Sequence, residues 1–303
     1  MKKGKRVKWL SLIFITVLIA MLLVACQGGK SSESSNPASN SNSGVSQGEN
    51  GKPAREKLTF GVAPGPYGDI ISQAIKPQLE EKGYKVEIRE FSDYVQPNLA
   101  LARGDLDANM FQHGVYLENF SKDHNLELTP LVRIPTAAVG LYSNKVNSVD
   151  ELEDGAEITL ANDATNLARA LKFMENNGLL KINPDISATQ ASEKDIIENP
   201  KNFKITPIEA AQLPRSLDSV DASAVNGNFA IAAGIPLSTA LAMEQLSEEH
   251  KNLIAIRTED ANEQFAKDIA EIVASEQFKN VIEGSDMFRY FQKPDWYIEQ
   301  WGE

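Results

Sequence analysis

The chain has 303 residues, 42% of them apolar, and carries 30 basic against 42 acidic side chains for a formal net charge of −12. That balance argues against nucleic-acid binding, which needs basic patches. One cysteine and three histidines, with no His-x-His or His-x-x-x-His pair, give no reason to expect an internal disulfide, a metal site or a cofactor.

In chain order, five cations (Lys2, Lys3, Lys5, Arg6 and Lys8) precede an apolar run from Trp9 to Ala25. A basic start, an apolar stretch and small residues before a cleavage point describe a secretory signal over residues 1–25. The run is at the short limit for crossing a bilayer, and no basic stop-transfer cluster follows it. Leu23-Val24-Ala25-Cys26 resembles the bacterial lipobox, which implies a diacylglycerol-modified Cys26 as the new N-terminus. Two acyl chains hold a protein on a membrane where one is marginal. The expected location is therefore the extracytoplasmic face of the cell membrane. Residues 26–56 continue as Ser, Asn, Gly and Gln, a composition that cannot offset its ordering entropy and is expected to form a tether. A coil of this kind spans about 30 Å root-mean-square. Without the five leader cations, 25 basic residues face 42 acidic ones, a net charge of −17.

From Lys57 onward, strand and helix periodicities alternate. Residues 57–62 form a short apolar strand, followed by the turn Ala63-Pro-Gly-Pro66. Ile70, Ile71, Ala74, Ile75 and Leu79 fall at helical spacing over residues 69–82, and Gly83 ends that helix. Residues 84–91 alternate as a strand, 94–103 read as a helix with Pro97 in its first turn, and 106–110 form a third strand. Strands separated by helices at this spacing argue for a parallel sheet. A second set follows. Residues 131–143 are expected to be two strands or one bent strand, 149–152 a short helix, and 157–161 a strand. A helix then starts near residues 162–165 with Thr165 as a plausible cap. Further strands are expected at 203–208, 222–225 and 253–257, and one long amphipathic helix over 262–282.

Three stretches carry candidate chemistry. Phe111, His113 and Tyr116 follow a strand's carboxyl end, where open α/β sheets bind ligands; core aromatics beside a surface histidine are the competing reading. Asn166 and Arg169 sit at a helix start, where free N–H groups and a guanidinium fork suit an anion. A capped helix with a surface arginine would look the same. Asn226-Gly-Asn228 follows a strand and could equally be an ordinary turn. No Gly-x-Ser-x-Gly elbow is present, and neither Asp105 nor Asp107 has an evident catalytic partner.

Together these stretches amount to a resemblance. Phe91-Ser-Asp-Tyr-Val-Gln-Pro-Asn-Leu-Ala100, Gly104-Asp-Leu-Asp-Ala-Asn-Met-Phe-Gln-His113 and Asn162-Asp-Ala-Thr-Asn-Leu-Ala-Arg169 resemble the methionine-binding lipoproteins of ABC importers, the NlpA family. So do Glu198-Asn-Pro-Lys-Asn202, Gln212-Leu-Pro-Arg-Ser-Leu217 and Ala224-Val-Asn-Gly-Asn228, and the matches run in order to the C-terminus. The resemblance implies an α/β, two-lobed periplasmic-binding-protein fold of type II. Residues 57–142 would form the first lobe, 143–251 the second, and 252–303 the return to the first. The crossings are expected near residues 140–143 and 252–257. Carried over, Arg169 would clamp an α-carboxylate. Asn166, Asn226 and Asn252 would bond the carboxylate and α-amino group. Tyr94, Phe111, His113 and Tyr116 would line a side-chain pocket. The implied protein is a monomeric, non-catalytic receptor without cofactor. It would bind methionine or a close derivative and deliver it to a permease and, through it, an ATPase subunit. Two other classes compete: an extracytoplasmic enzyme on the same scaffold, and a surface adhesion lipoprotein whose activity would not depend on Arg169.

Overall fold

A computed structural model describes residues 55–187 and 189–302. The expected leader, Cys26 and nearly all of the tether lie outside the described residues. Strand β1 (Lys57–Val62) leads through the 63–66 turn into α1 (Tyr67–Ile70), a π-helical turn (Ile71–Ile75) and α2 (Lys76–Glu81). Then come β2 (Lys85–Glu90), α3 (Gln96–Ala102), β3 (Ala108–His113), α4 (Gly114–His124) and β4 (Leu128–Arg133). Strands β1, β2 and β3 pair in parallel. This parallel pairing needs crossover helices, which α2 and α3 supply.

The chain next builds a second sheet. Its elements are β5 (Gly140–Tyr142), β6 (Glu157–Ala161), α5 (Ala164–Asn176), the small pair β7 (Lys181–Ile182) and β8 (Ile196–Glu198), and β9 (Lys204–Ile208). It continues with α6 (Leu213–Ser216), β10 (Ala222–Val225), α7 (Gly227–Ala232) and β11 (Ala242–Met243). The second sheet has the order β11-β5-β10-β6-β9. Strand β12 (Asn252–Arg257) then returns to the first sheet, inserted antiparallel between β3 and β4 in the order β2-β1-β3-β12-β4. Helices α8 (Gln264–Val273), α9 (Glu276–Gly284) and α10 (Asp295–Trp301) complete the chain.

The two passages between sheets fall at residues 134–139 and 244–251. Residues 140–142 and 252–257, where the crossings were expected, are sheet strands instead: β5 belongs to the second sheet and β12 to the first. Both are apolar runs, and their pattern belongs to buried strands rather than to linkers. Residues 140–142 therefore lie with the second sheet, not the first. Gln292 ties the passages together. Its backbone pairs with Thr136 in the first (3.0 and 2.9 Å), while its side chain donates to the Glu244 carbonyl (2.6 Å) and accepts from Leu246 N–H (2.8 Å) in the second.

Three further elements differ from expectation. Strand β3 runs to His113 rather than ending at Met110, so Phe111 and His113 lie within it. Polar Asn109 and Gln112 disguise it, because their amides are satisfied inside the protein. Asn98 Oδ1 accepts from Asn109 Nδ2 (2.8 Å) and Gln112 Nε2 (2.7 Å), and Asn98 Nδ2 donates to Gln112 Oε1 (2.7 Å). The α5 cap is Asp163, not Thr165: its carboxylate accepts from Asn166 N–H at 2.9 Å. The long helix over 262–282 is two, because Ser275 accepts from Phe278 N–H and starts α9 afresh. Apolar spacing continues through the break, which hides it from periodicity.

Candidate functional site

Between the two sheets lies a small, tightly closed cavity lined by residues of both. The structure brings all eight expected side chains to its wall: Tyr94, Phe111, His113, Tyr116, Asn166, Arg169, Asn226 and Asn252. They come from α3's leading loop, β3, α4, α5, the start of α7 and the start of β12, so the site exists only when both sheets meet. Tyr67, Gln112 and Asn228 border it as well and were not expected. The 212–217 segment, one of those that carry the family resemblance, folds as a 3-10 turn and helix α6 and does not line the cavity.

One wall is aromatic. The rings of Tyr94 and Phe111 stack with centroids 5.8 Å apart, and Tyr116 meets Tyr94 and Phe111 edge-on at 6.0 and 6.2 Å. Tyr116's hydroxyl donates to the Tyr94 carbonyl, which fixes this box. Such faces and edges suit a polarisable, apolar group such as a thioether.

The other wall is rich in donors. Arg169 is buried and donates through Nε and Nη2 to the two carboxylate oxygens of Glu244, at 2.8 and 2.6 Å. A guanidinium carries five N–H groups, so three remain. His113 caps α4, its Nδ1 accepting from Tyr116 N–H at 3.3 Å. That bond places the ring hydrogen on Nε2, which is buried near the Asn166 side chain and makes no hydrogen bond of good geometry among the described residues. Burial holds the His113 pKa well below the usual imidazole range, and the nearby Arg169 cation adds to the effect. The ring is thus a neutral N–H donor beside a cation.

The amides are ordered by a relay. Asp163 accepts from both the backbone and the side chain of Asn166; burial pushes its pKa up, and these bonds offset part of that. Asn166 Oδ1 accepts from Asn226 Nδ2 at 3.0 Å, leaving the Asn226 side-chain Oδ1 without a donor among the described residues. Asn252 Nδ2 donates to the Phe111 carbonyl at 3.0 Å, so its oxygen is left in the same way. Asn166 is itself largely engaged in orienting Asn226.

Contacts across the cleft join its two sides. Asn228 on α7 accepts from Tyr94's hydroxyl at 2.7 Å and donates to the Pro64 carbonyl at 2.9 Å. Gly65, at φ +123°, packs so closely that a Cβ there would lie 2.5 Å from the Asn228 carbonyl oxygen. This is the role of the glycine in the 63–66 turn. The cavity wall contains no Ser, Thr, Cys, Lys or carboxylate. Among the described residues no cluster of three or more His, Cys, Asp or Glu could hold a metal ion. No described helix is long and apolar enough to cross a membrane.

Glu244 was the main omission from sequence. It lies 75 residues from Arg169 in a segment of ordinary polar composition, and no local signal marks it. Asn228 was visible only as part of an Asn-Gly-Asn turn.

The chain is similar to several known proteins. The chain is 32% identical over 263 residues to a probable D-methionine-binding lipoprotein MetQ of Pasteurella multocida, covering 86% of this chain and 90% of that protein. It is 36% identical to the D-methionine-binding lipoprotein MetQ of Salmonella typhi over 232 residues, 76% of this chain and 84% of that one. A solved nutrient-binding protein of Burkholderia cenocepacia, bound to methionine, superposes with a TM-score of 0.73 at 36% identity, covering 77% of this chain and 97% of that chain. The fold is therefore that of the two-lobed methionine-binding periplasmic-binding proteins. A family profile described as NlpA lipoprotein matches residues 58–296, and this chain belongs to the NlpA lipoprotein family.

Proposed function

We propose that the protein captures methionine between its two lobes and delivers it, unchanged, to an ABC importer. The observation that carries this reading is the lining of one cavity by both a donor set and an aromatic box. The Arg169 N–H groups that Glu244 leaves and the His113 Nε2–H border it together with the rings of Tyr94, Phe111 and Tyr116. The α-carboxylate would take the guanidinium and imidazole N–H groups. The α-ammonium would meet the amide oxygens of Asn226 and Asn252. The thioether would lie among the rings. The methionine-bound relative supports this choice of ligand. The methionine-binding relatives support a receptor rather than an enzyme.

Lobe closure around the ligand would mark the loaded state for the permease and, through it, the ATPase subunit. The family's lipoprotein character and the Cys26 lipobox support anchoring by lipid on the extracytoplasmic face. Calorimetric titration of ligand-stripped residues 54–303 with L-methionine, D-methionine and glycyl-methionine tests the reading. One-to-one binding of a methionine compound, abolished by Arg169→Ala, is expected. Absence of binding to all three overturns it.

A further inference from the structure

Arg169 does not face the cavity as a lone cation. Glu244 grips it side-on through Nε and Nη2, and Glu244 Oε2 also accepts from the Val139 N–H at 3.1 Å. Both side chains are nearly dry, at 5% and 10% exposure. Arg169 borders the cavity and Glu244 does not, so the carboxylate sits behind the guanidinium. Glu244 opens the second passage between the sheets and Val139 closes the first, so the pair is braced by both. A side-on carboxylate leaves the end-on fork, Nη1 and the second Nη2 hydrogen, for a ligand.

The charges follow. Arg169 and Glu244 cancel. His113 is neutral, and His250, whose ring lies 5.1 Å from that of His113, has its pKa lowered by burial and then by Arg169. Asp163, the cap of the helix that carries Arg169, is bound to Asn166. The site therefore has no net positive charge to offer. A bare carboxylate entering it would bring an uncompensated buried charge, which is costly. A zwitterion brings none, and its ammonium has two free amide oxygens to meet. Resting on the methionine reading above, we infer that Glu244 is the specificity-determining residue of the site: it aims Arg169 end-on at the ligand and, by cancelling its charge, restricts the cleft to zwitterionic α-amino acids over simple carboxylates of the same shape.

The test compares L-methionine with 4-(methylsulfanyl)butanoate, the same molecule without its amino group, on wild type, Glu244→Gln and Glu244→Asp by calorimetric titration. Wild type is expected to prefer methionine by about a hundredfold, the scale of losing an ammonium's bonds to two amide oxygens. Glu244→Gln should shrink that preference by about tenfold or more, because methionine weakens while the deaminated acid weakens less or gains. Glu244→Asp keeps the charge but not the reach; both ligands should weaken and the preference should persist. A purely structural role would lower both affinities in proportion in Glu244→Gln, and an unchanged ratio overturns the inference. So does a collapsed ratio in Glu244→Asp, which also decides the matter should Glu244→Gln not fold. A wild type that binds methionine and the deaminated acid equally overturns it while leaving the methionine reading in place. A wild type that binds neither removes that reading and this inference together.

Discussion

Asn228→Ala should weaken methionine binding by holding the cleft back from closure. Asn228 is 5% exposed and bonds across the cleft twice, accepting from Tyr94's hydroxyl at 2.7 Å and donating to the Pro64 carbonyl at 2.9 Å. Each neutral bond contributes about 1 kcal/mol net, and the buried Tyr94 hydroxyl left unpaired adds a desolvation cost of about 1 kcal/mol. With the lobes apart, water satisfies these groups, so the loss of about 2–3 kcal/mol falls on the closed state alone. That corresponds to roughly a 30- to 150-fold rise in Kd. Calorimetry on residues 54–303 measures it, and a second variant separates the latch from direct ligand contact. Tyr94→Phe removes only the hydroxyl donor and should cost about 1 kcal/mol, near fivefold in Kd. The two groups share a bond, so the double variant should bind like Asn228→Ala, within about 0.5 kcal/mol. A Kd for Asn228→Ala within about threefold of wild type, or full additivity in the double variant, refutes the reasoning.

Gly65→Ala places a methyl 2.5 Å from the Asn228 carbonyl at a left-handed φ of +123°. It should reduce methionine affinity by at least about tenfold, since backbone strain of this kind costs ~1–3 kcal/mol, while circular dichroism stays unchanged; equal affinity would contradict the close approach. Asn98→Ala removes the hub of a buried amide network and leaves Asn109 and Gln112 groups unpaired. A destabilisation of about 3 kcal/mol or more is expected in urea unfolding, and a value below about 1 kcal/mol would show the network to be dispensable. His113 remains neutral in the folded state below the pH at which it protonates in the unfolded chain, near ~6.5. The unfolded state then binds more protons, so stability falls as pH drops from about 6.5 toward the depressed folded pKa, at up to about 1.4 kcal/mol per pH unit. His113→Asn should flatten the fall between pH 7 and 5.5 by up to one proton's worth, and an unchanged slope would contradict a buried neutral ring.

Local chemistry determined a good part of this protein. The strands at 157–161 and 222–225 lie where apolar runs and turn residues put them, because a buried strand needs only its own pattern to be recognised. The alternation of strand and helix made an α/β protein and the parallel pairing of β1, β2 and β3 readable for the same reason, but not the antiparallel strands that make both sheets mixed. Motifs at strand ends and at one helix start pointed to residues that meet around a single cavity.

Tertiary structure decided the rest. The extent of β3 depends on Asn98, which satisfies Asn109 and Gln112 from another element and so permits polar residues in a buried strand. The passages between sheets fall where β5 and β12 find partners, and strand pairing is a long-range choice. Ser275 ends one helix by capping the next, an event that apolar spacing does not register. Above all, the electrostatics of the cleft rest on Glu244, which reaches Arg169 across 75 residues of chain. Periodicity and motif spacing report what a segment does with its neighbours in sequence. The charge a buried arginine presents to a ligand depends on what the fold brings up behind it.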